Sequence, residues 1–373
     1  LDDGIDFAHP DLQGTYAWGT DETSPYYGWP MAFSQVSMKY FAQEVLYQDL
    51  GAEGITQGWN GTHWSDTQTK VNVPTCSGCT TGTLDYQPLG GAMHTYTIPL
   101  TSLSENYMVG TFNETYLEVA FGERVAVLVV DEAVAGEYDT VYVDLDGDFD
   151  FADEKPVTKD SPEIFRDMDG DGLADISGGL LTWISDGANT PPGADWLWGV
   201  SCGDEVGSLL ACPDSGALLT FTGPWDYDSA GSHGTLCGSN VAGQGVISGG
   251  LSAQPFRYGG MVQGGAPEVG LMDFSNHYYN GTDEDEYIMA ALGYDGIPMS
   301  GDEVQVLSNS YGSFTQMWGS WGYIGRLVTS LNVSVAPSTV WLFSGGNEGP
   351  GYGPQEGEAG PTILKVGTST QFG

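Results

Sequence analysis

Thr339-Val-Trp-Leu-Phe343, continuing through Ser344-Gly-Gly-Asn347 into Glu348-Gly-Pro350, reads as a short apolar strand that runs into a glycine-rich turn carrying one carboxamide. Valine and aromatic side chains suit a pleated, buried segment, and the glycines end it. Outward from this stretch the same pattern recurs. Glu286-Tyr-Ile-Met-Ala-Ala-Leu292 reads as a helix and Glu303-Val-Gln-Val-Leu307 as a strand. Trp318 to Leu331 reads as a helix and Thr362-Ile-Leu-Lys-Val366 as a further strand. Short apolar strands alternating with helices imply an α/β fold, a parallel sheet with helices on both faces. Functional groups in such sheets sit in turns beyond the carboxyl ends of strands, where Asn347 falls.

The bulk composition bounds the rest. A chain of 373 residues has room for two or three domains of about 150 residues each. With 40% hydrophobic residues, 11 Trp, 20 Tyr and 14 Phe, it can fill sizeable cores and is not disordered. The 56 Gly and 19 Pro point to many turns. No apolar run is long enough to span a membrane. Fifty Asp and Glu against nine Lys and Arg give a formal net charge of −41, which repels nucleic acid and anionic lipid and argues against both as partners. Salt or bound divalent cations would relieve the self-repulsion, so saline surroundings or a calcium-loaded protein fit; a soluble secreted surface fits as well.

Three zones follow. Residues 1–12 form a strand end and turn, Leu1-Asp2-Asp3-Gly4-Ile5-Asp6 followed by His9-Pro10-Asp11-Leu12. Residues 13–220 are rich in strands, turns and acidic clusters; Arg124 to Val130 and Thr140 to Asp144 are the clearest strand pair. Residues 221–373 carry the α/β alternation. The chain enters at Leu1 as if in mid-strand and stops as abruptly, so missing targeting signals say nothing of localisation. Five cysteines suggest an oxidising compartment, with Cys76–Cys79 and Cys202–Cys212 as candidate disulfides and Cys237 single. Cys76-Ser-Gly-Cys79 would also suit half of a zinc site, but no second pair follows at zinc spacing. Sequons at Asn60, Asn113, Asn280 and Asn332 are compatible with export to the extracellular space or cell surface.

Three separated residues carry chemistry. Asp2 ends a strand before Gly4. His233 lies in Gly231-Ser-His-Gly-Thr-Leu-Cys-Gly-Ser-Asn-Val-Ala-Gly243, where small residues let a helix pack closely. Asn347 follows its strand. Acyl transfer needs these types: a carboxylate orients an imidazole, the imidazole takes a proton from a serine, and an amide stabilises the oxyanion. Singly, each is an ordinary turn or helix residue; their order after separate strands is what distinguishes them.

Leu1-Asp2-Asp3-Gly4-Ile5-Asp6 with His9-Pro10-Asp11-Leu12 resembles the aspartate motif of subtilisin-like serine peptidases (subtilases), in its kexin/furin-like Asp-Asp-Gly form. His233-Gly234-Thr235 with Val241-Ala242-Gly243 resembles their histidine motif, and Gly265-Ala-Pro-Glu-Val-Gly-Leu271 the strand after it. Ser308-Asn-Ser-Tyr-Gly312 is similar to their substrate-binding strand, and Ser344-Gly-Gly-Asn347 to their oxyanion segment. The resemblance covers residues 1–12 and 221–373. It implies a subtilisin-like fold and a serine endopeptidase acting on polypeptides through an acyl-enzyme. It makes Asp2 the triad aspartate, His233 the general base and Asn347 the oxyanion donor; Ser310, Tyr311 and Gly312 pair with substrate backbone as an added strand. Cys237 is expected as a buried free thiol and not a nucleophile.

Two departures matter. Gly367-Thr368-Ser369 echoes the nucleophile motif but lacks the residues that follow it, so Ser369 is expected to be a decoy and the nucleophile to lie beyond Gly373. The separation of 231 positions between Asp2 and His233 implies a large β-rich insertion, as in tripeptidyl peptidase II-like and archaeal cell-surface subtilases. Furin-like preference for basic residues does not carry over, because Ser313-Phe314-Thr315 replace the acidic residues expected there. A non-catalytic surface or binding module that keeps the fold, stabilised by calcium, is the alternative.

Inside the insertion, Asp144-Leu-Asp146-Gly-Asp148-Phe-Asp150 and Asp167-Met-Asp169-Gly-Asp171-Gly172 with Asp175 alternate carboxylates around a central glycine. Tight loops of this kind can turn several carboxylates onto a hard cation, so calcium is the expected cofactor, in a structural role. Gly178 stands where a regular calcium loop has its last acidic ligand, and no flanking helices are evident.

Overall fold

The structure, a computed structural model, describes residues 2, 4–34, 65–88, 91–112, 125–199, 202, 205–206, 209–210, 215–220, 233–246, 263–275, 284–310, 323–345 and 361–367. Its strands are β1 (Ala32–Ser34), β2 (Ser65–Asn72), β3 (Thr81–Tyr86), β4 (His94–Pro99), β5 (Asn106–Phe112), β6 (Ala126–Val130), β7 (Thr140–Val143), β8 (Val157–Thr158), β9 (Glu163–Arg166), β10 (Ile176–Ile184), β11 (Glu205–Val206), β12 (Leu209–Leu210), β13 (Leu218–Thr220), β14 (Asp273–Ser275), β15 (Val306–Asn309), β16 (Val340–Ser344) and β17 (Ile363–Val366). The helices are α1 (Ala194–Trp198), α2 (His233–Ala242), α3 (Glu284–Leu292) and α4 (Tyr323–Ser334).

Two sheets are parallel. β15, β16 and β17 pair in that order, with Asn309 opposite Phe343 and Ser344 opposite Val366. β1 pairs with β14, Phe33 opposite Phe274. Parallel neighbours need long crossovers, and α3 and α4 lie in the segments β14–β15 and β15–β16. One apolar cluster joins these pieces: Phe33, Phe274, Tyr287, Met289, Val328, Trp341 and Phe343 are all buried in it. Along β16 burial alternates, so Trp341 and Phe343 enter the core while Val340 stays exposed. Asn309 is buried and donates from Nδ2 to the Leu342 carbonyl at 2.8 Å, fixing β15 to β16.

β15 begins at Val306 rather than at Glu303, where the apolar alternation placed the strand. The Glu303 carboxylate is engaged in a turn instead, accepting from the Ser300 and Gly301 amides at 2.8 and 3.0 Å. Tyr16, Tyr26, Met31 and Phe33, grouped with the insertion on their sequence, pack in the same cluster as Phe274 and Trp341. Tyr294 ties this segment in: its hydroxyl accepts from the Ala32 amide at 2.6 Å and donates to the Ala32 carbonyl.

The remaining strands are antiparallel. β2, β5, β6, β7 and β8 form one five-stranded sheet. Every residue of β6 and β7 is buried, because the sheet is covered on both faces. Side chains alternate between the two sides: Val127, Val129, Val141 and Val143 join one cluster with Ile164, Ile184 and Leu218. Ala126, Leu128, Val130 and Tyr142 join the other with Tyr96 and Ile98. The hairpin β3–β4 supplies the second cover, and the sheet β9–β10–β13 the first. β10 also reaches the α/β core through Trp183. Cys76 and Cys79 are disulfide-bonded in the turn between β2 and β3.

Removing the fully buried Phe33 ring should cost about 3–5 kcal/mol, as large-to-small core changes do. Leu364, 57% exposed on β17, should cost under about 0.5 kcal/mol when changed to Ala. Denaturant unfolding of Phe33→Ala and Leu364→Ala measures both, and equal effects would refute the shared core.

Candidate active site

The site forms where the start of the chain meets the first turn of α2. The Asp2 amide donates to the Phe274 carbonyl at 3.2 Å, which sets the residue beside β14. Its carboxylate reaches His233, with Oδ1 2.8 Å from Nδ1. Asp2 is 5% exposed and the His233 side chain 49% exposed. A buried carboxylate thus holds one ring nitrogen while half of the imidazole meets solvent. Such a pair fixes the ring's orientation and stabilises the imidazolium that forms when the other nitrogen accepts a proton.

Glycine makes the approach possible. A Cβ on Gly238 would stand 3.2 Å from Ile5 Cδ1, so α2 lies close against the aspartate segment. A Cβ on Gly264 would come within 2.5 Å of the Val241 carbonyl oxygen, where the returning chain crosses the end of α2. Polar contacts hold both ends of the helix. Thr235 Oγ1 accepts from the Asp6 amide at 3.0 Å. Beyond the other end, the Asp11 backbone carbonyl accepts from the Gln244 amide at 2.9 Å, and the Asp11 carboxylate from the Val246 amide at 2.7 Å.

Cys237, one turn past His233, is a free thiol of intermediate exposure rather than a buried one. Its Sγ is 3.9 Å from His233 Nδ1, and Asp2, His233 and Cys237 each offer an atom within 4.8 Å of the others. Burial pushes the thiol pKa up; a hydrogen bond with Ser310 opposes this, and the Asp2 charge adds to it. A thiol held protonated beside the imidazole is a poor nucleophile. The contact also places Ser310, just past β15, beside the Asp2–His233 pair. β16 leads toward Asn347 from the same edge, since Asn309 and Phe343 are in register. Asn347, Tyr311, Gly312 and Ser369 lie outside the described residues. A cavity of about 550 Å³ adjoins the pair, lined by Asp2, Ile5, Cys237, Leu271, Leu307 and Ser310 among others.

Of the two acidic loops, the first follows β7. Carboxylate oxygens of Asp144, Asp146 and Asp148 lie within 4.8 Å of one another. Asp150 is not in this group; its Oδ1 accepts from the Ala152 amide at 2.8 Å. Asp144 is 5% exposed, and its Oδ1 is buried with no hydrogen-bond partner. Burial, then the charges of Asp148 and Asp146, push its pKa up to about 6. Glu154, buried beside this loop, is pushed up to about 8 by burial despite Arg166 at 3.5 Å. A buried carboxylate oxygen with no donor, among further carboxylates, is the environment a hard cation satisfies. In the second loop Asp167, Asp169 and Asp175 come together, whereas Asp171 accepts from the Leu173 amide at 2.9 Å. Cys202 is disulfide-bonded, and Cys212 lies outside the described residues.

A carboxylate–imidazole pair at strand ends of an α/β fold is the working part of many hydrolases, and comparison narrows the class. The model of the Subtilase family matches residues 1–370. The chain belongs to the Subtilase family, which makes it a serine peptidase domain with an α/β fold and polypeptide substrates. No curated protein and no solved structure gives a significant match. Among the described residues no helix is long and apolar enough to cross a membrane.

The raised thiol pKa makes a direct prediction. Alkylation of Cys237 by iodoacetamide should still be accelerating above about pH 8.5, where an ordinary thiol is half ionised. A rate that levels off below that pH would show a thiolate and contradict this account of the site.

Proposed function

We propose that this chain is the catalytic part of an extracellular or cell-surface serine endopeptidase. Asp2 orients His233, His233 is the general base and acid, and Asn347 donates to the oxyanion of an acyl-transfer reaction. The nucleophile is a serine in a Gly-Thr-Ser segment beyond Gly373, since Ser369 lacks the residues that should follow it. The carrying observation is the 2.8 Å bond between the buried Asp2 carboxylate and the half-exposed His233 ring. Ser310, Tyr311 and Gly312 hold substrate backbone as an added strand, a role consistent with Ser310 lying beside Cys237. The parallel pieces β1–β14 and β15–β17 belong to one subtilisin-like sheet with helices on both faces, interrupted between the Asp and His motifs by the β-rich insertion. That arrangement groups the chain with the large cell-surface and tripeptidyl peptidase II-like subtilases. The Cys76–Cys79 disulfide supports an oxidising compartment.

Calcium is the proposed cofactor, held by Asp144, Asp146 and Asp148 in one loop and Asp167, Asp169 and Asp175 in the other. Bound there, it supplies charge neutralisation and rigidity, not chemistry. The orphaned Asp144 oxygen is the feature that favours the first loop.

Two experiments test these readings. In the full-length protein a fluorophosphonate should label one serine and a peptide substrate should be cleaved. His233→Ala should abolish both, and Asp2→Asn should lower kcat by about four orders of magnitude. A folded protein that neither labels nor cleaves would overturn the peptidase reading. Separately, calcium at about a hundred times its Kd should stabilise the protein by about 2.7 kcal/mol for each occupied site over the chelated form. Asp144→Asn should lose the first loop's share of the melting shift; a melting temperature indifferent to chelation would defeat the metal assignment.

A further inference from the structure

The insertion does more than share a core with the catalytic fold. Two of its strands reach the aspartate motif or the residues just after it with buried or partly buried polar side chains. From β9, Glu163 Oε1 accepts from the Tyr16 hydroxyl at 2.9 Å and from the Gly14 amide at 3.1 Å. From β10, the Ser177 hydroxyl donates to Asp6 Oδ1 at 2.6 Å. The same Asp6 oxygen accepts from the Ala8 and His9 amides, both at 3.0 Å. Three donors on one oxygen fix the turn that follows Asp2.

The Ser177 hydroxyl is itself oriented. It accepts from the Gly179 amide at 3.0 Å, which leaves its proton for Asp6. The local register of β10 shifts between Ser177 and Leu181, and a Cβ on Gly178 would come within 2.6 Å of Ile164 Cγ2. The backbone at this point is therefore held against β9. On the other side of Asp6, its amide donates to Thr235 Oγ1 at 3.0 Å, two residues along α2 from His233. A continuous path runs from β10 through Ser177, Asp6 and Thr235 to the first turn of α2. Burial pushes the Asp6 carboxyl pKa up, and the Ser177 bond is the largest influence opposing it.

We infer that Ser177 is a positioning residue for the Asp2–His233 pair, acting through Asp6 and Thr235, so that the insertion sets the geometry of catalysis. The inference rests on the peptidase reading for its kinetic consequence. The Ser177 hydroxyl bonds Asp6 and the Gly179 amide rather than a reacting group or the substrate side. Loss of its hydroxyl should therefore lower kcat and leave KM alone.

The test uses the full-length peptidase with Ser177→Thr and Ser177→Val, two side chains alike in shape that differ in the hydroxyl. Active-site titration with a fluorophosphonate supplies the enzyme concentration, and a fluorogenic peptide supplies kcat and KM. Ser177→Val should lose about tenfold in kcat with KM within about twofold, while Ser177→Thr stays within about twofold of wild type in both. Equal kcat in the two variants, or a change confined to KM, overturns the role. Should Ser177→Val fail to fold, Ser177→Ala takes its place, and failure of both beside a folded, active Ser177→Thr would assign the hydroxyl a purely structural task and overturn it too. A readout free of activity keeps the two readings apart. The low-field proton of the Asp2–His233 hydrogen bond, followed by NMR, should persist in Ser177→Thr and broaden in Ser177→Val. An uncleaving wild type would sink the peptidase reading, while this signal still decides the positioning role.

Discussion

A single hydrogen bond, 2.8 Å long between residues 231 apart in sequence, sets the terms for the rest of the molecule. For Asp2 to reach His233, the aspartate segment and α2 must approach more closely than ordinary side chains allow, hence the glycine at 238. For the pair to be useful, the carboxylate must be dry and the ring wet, hence Asp2 against β14 and His233 at the open end of α2. A buried carboxylate that lost its partner would keep its desolvation cost, so the contact is strongly constrained once the surrounding fold is made. Both flanks of the bond are braced by other residues of the same two motifs, Asp6 on Thr235 and Asp11 on the chain after α2.

How much of this could be read from sequence follows from how local each signal is. Asp2, His233 and the strand before Asn347 were legible because each lies in a few consecutive residues whose glycines and small side chains report a tight turn or close packing. The strand pair at β6 and β7 was legible because a sheet covered on both faces demands unbroken apolar residues. Ser177 and Glu163 were not legible. Their partners lie 171 and 149 residues away, and a serine or glutamate in a strand carries no mark of a distant acceptor or donor. Glu303 misled for a related reason: its pattern alternates like a strand, but two amides of the preceding turn claim its carboxylate. The acidic loops were half legible. Alternating Asp residues look equivalent, yet Asp150 and Asp171 stay out of the clusters their neighbours form.

A long excursion between Asp2 and His233 costs less than its length suggests. Closing a loop becomes dearer only by about 0.6 kcal/mol for each doubling of length. The intervening chain offsets its own ordering by burying two apolar clusters on opposite faces of one sheet. What remains to be specified is how it meets the α/β core, and there the scarce cations are informative. Of nine Lys and Arg in the chain, three fall between residues 155 and 166. Lys155 donates to the Glu163 carbonyl at 2.8 Å and lies over the Phe165 ring. Lys159 lies over the Tyr27 ring, and Arg166 pairs with Asp146, Asp153 and Glu154.

Lys159 reaches across to the Tyr27 ring, while Lys155 and Arg166 hold groups of their own segment, in a chain whose net charge would otherwise push its parts away from each other. Arg166 in particular ends β9, immediately before the second acidic loop, and its guanidinium enters the first. The two loops are thereby joined by one residue whose strand also carries Glu163 and pairs with the strand carrying Ser177. Arg166 cannot satisfy everything there: Asp144 Oδ1 stays without a donor, and Glu154 stays hard to ionise. A side-chain cation is anchored by its own backbone and reaches only the near side of the basin, whereas a free ion can sit among the carboxylates themselves. Residual acidity at this point, beside strands that brace the turn after Asp2, is thus a property of this segment's packing and not an accident of an acidic surface.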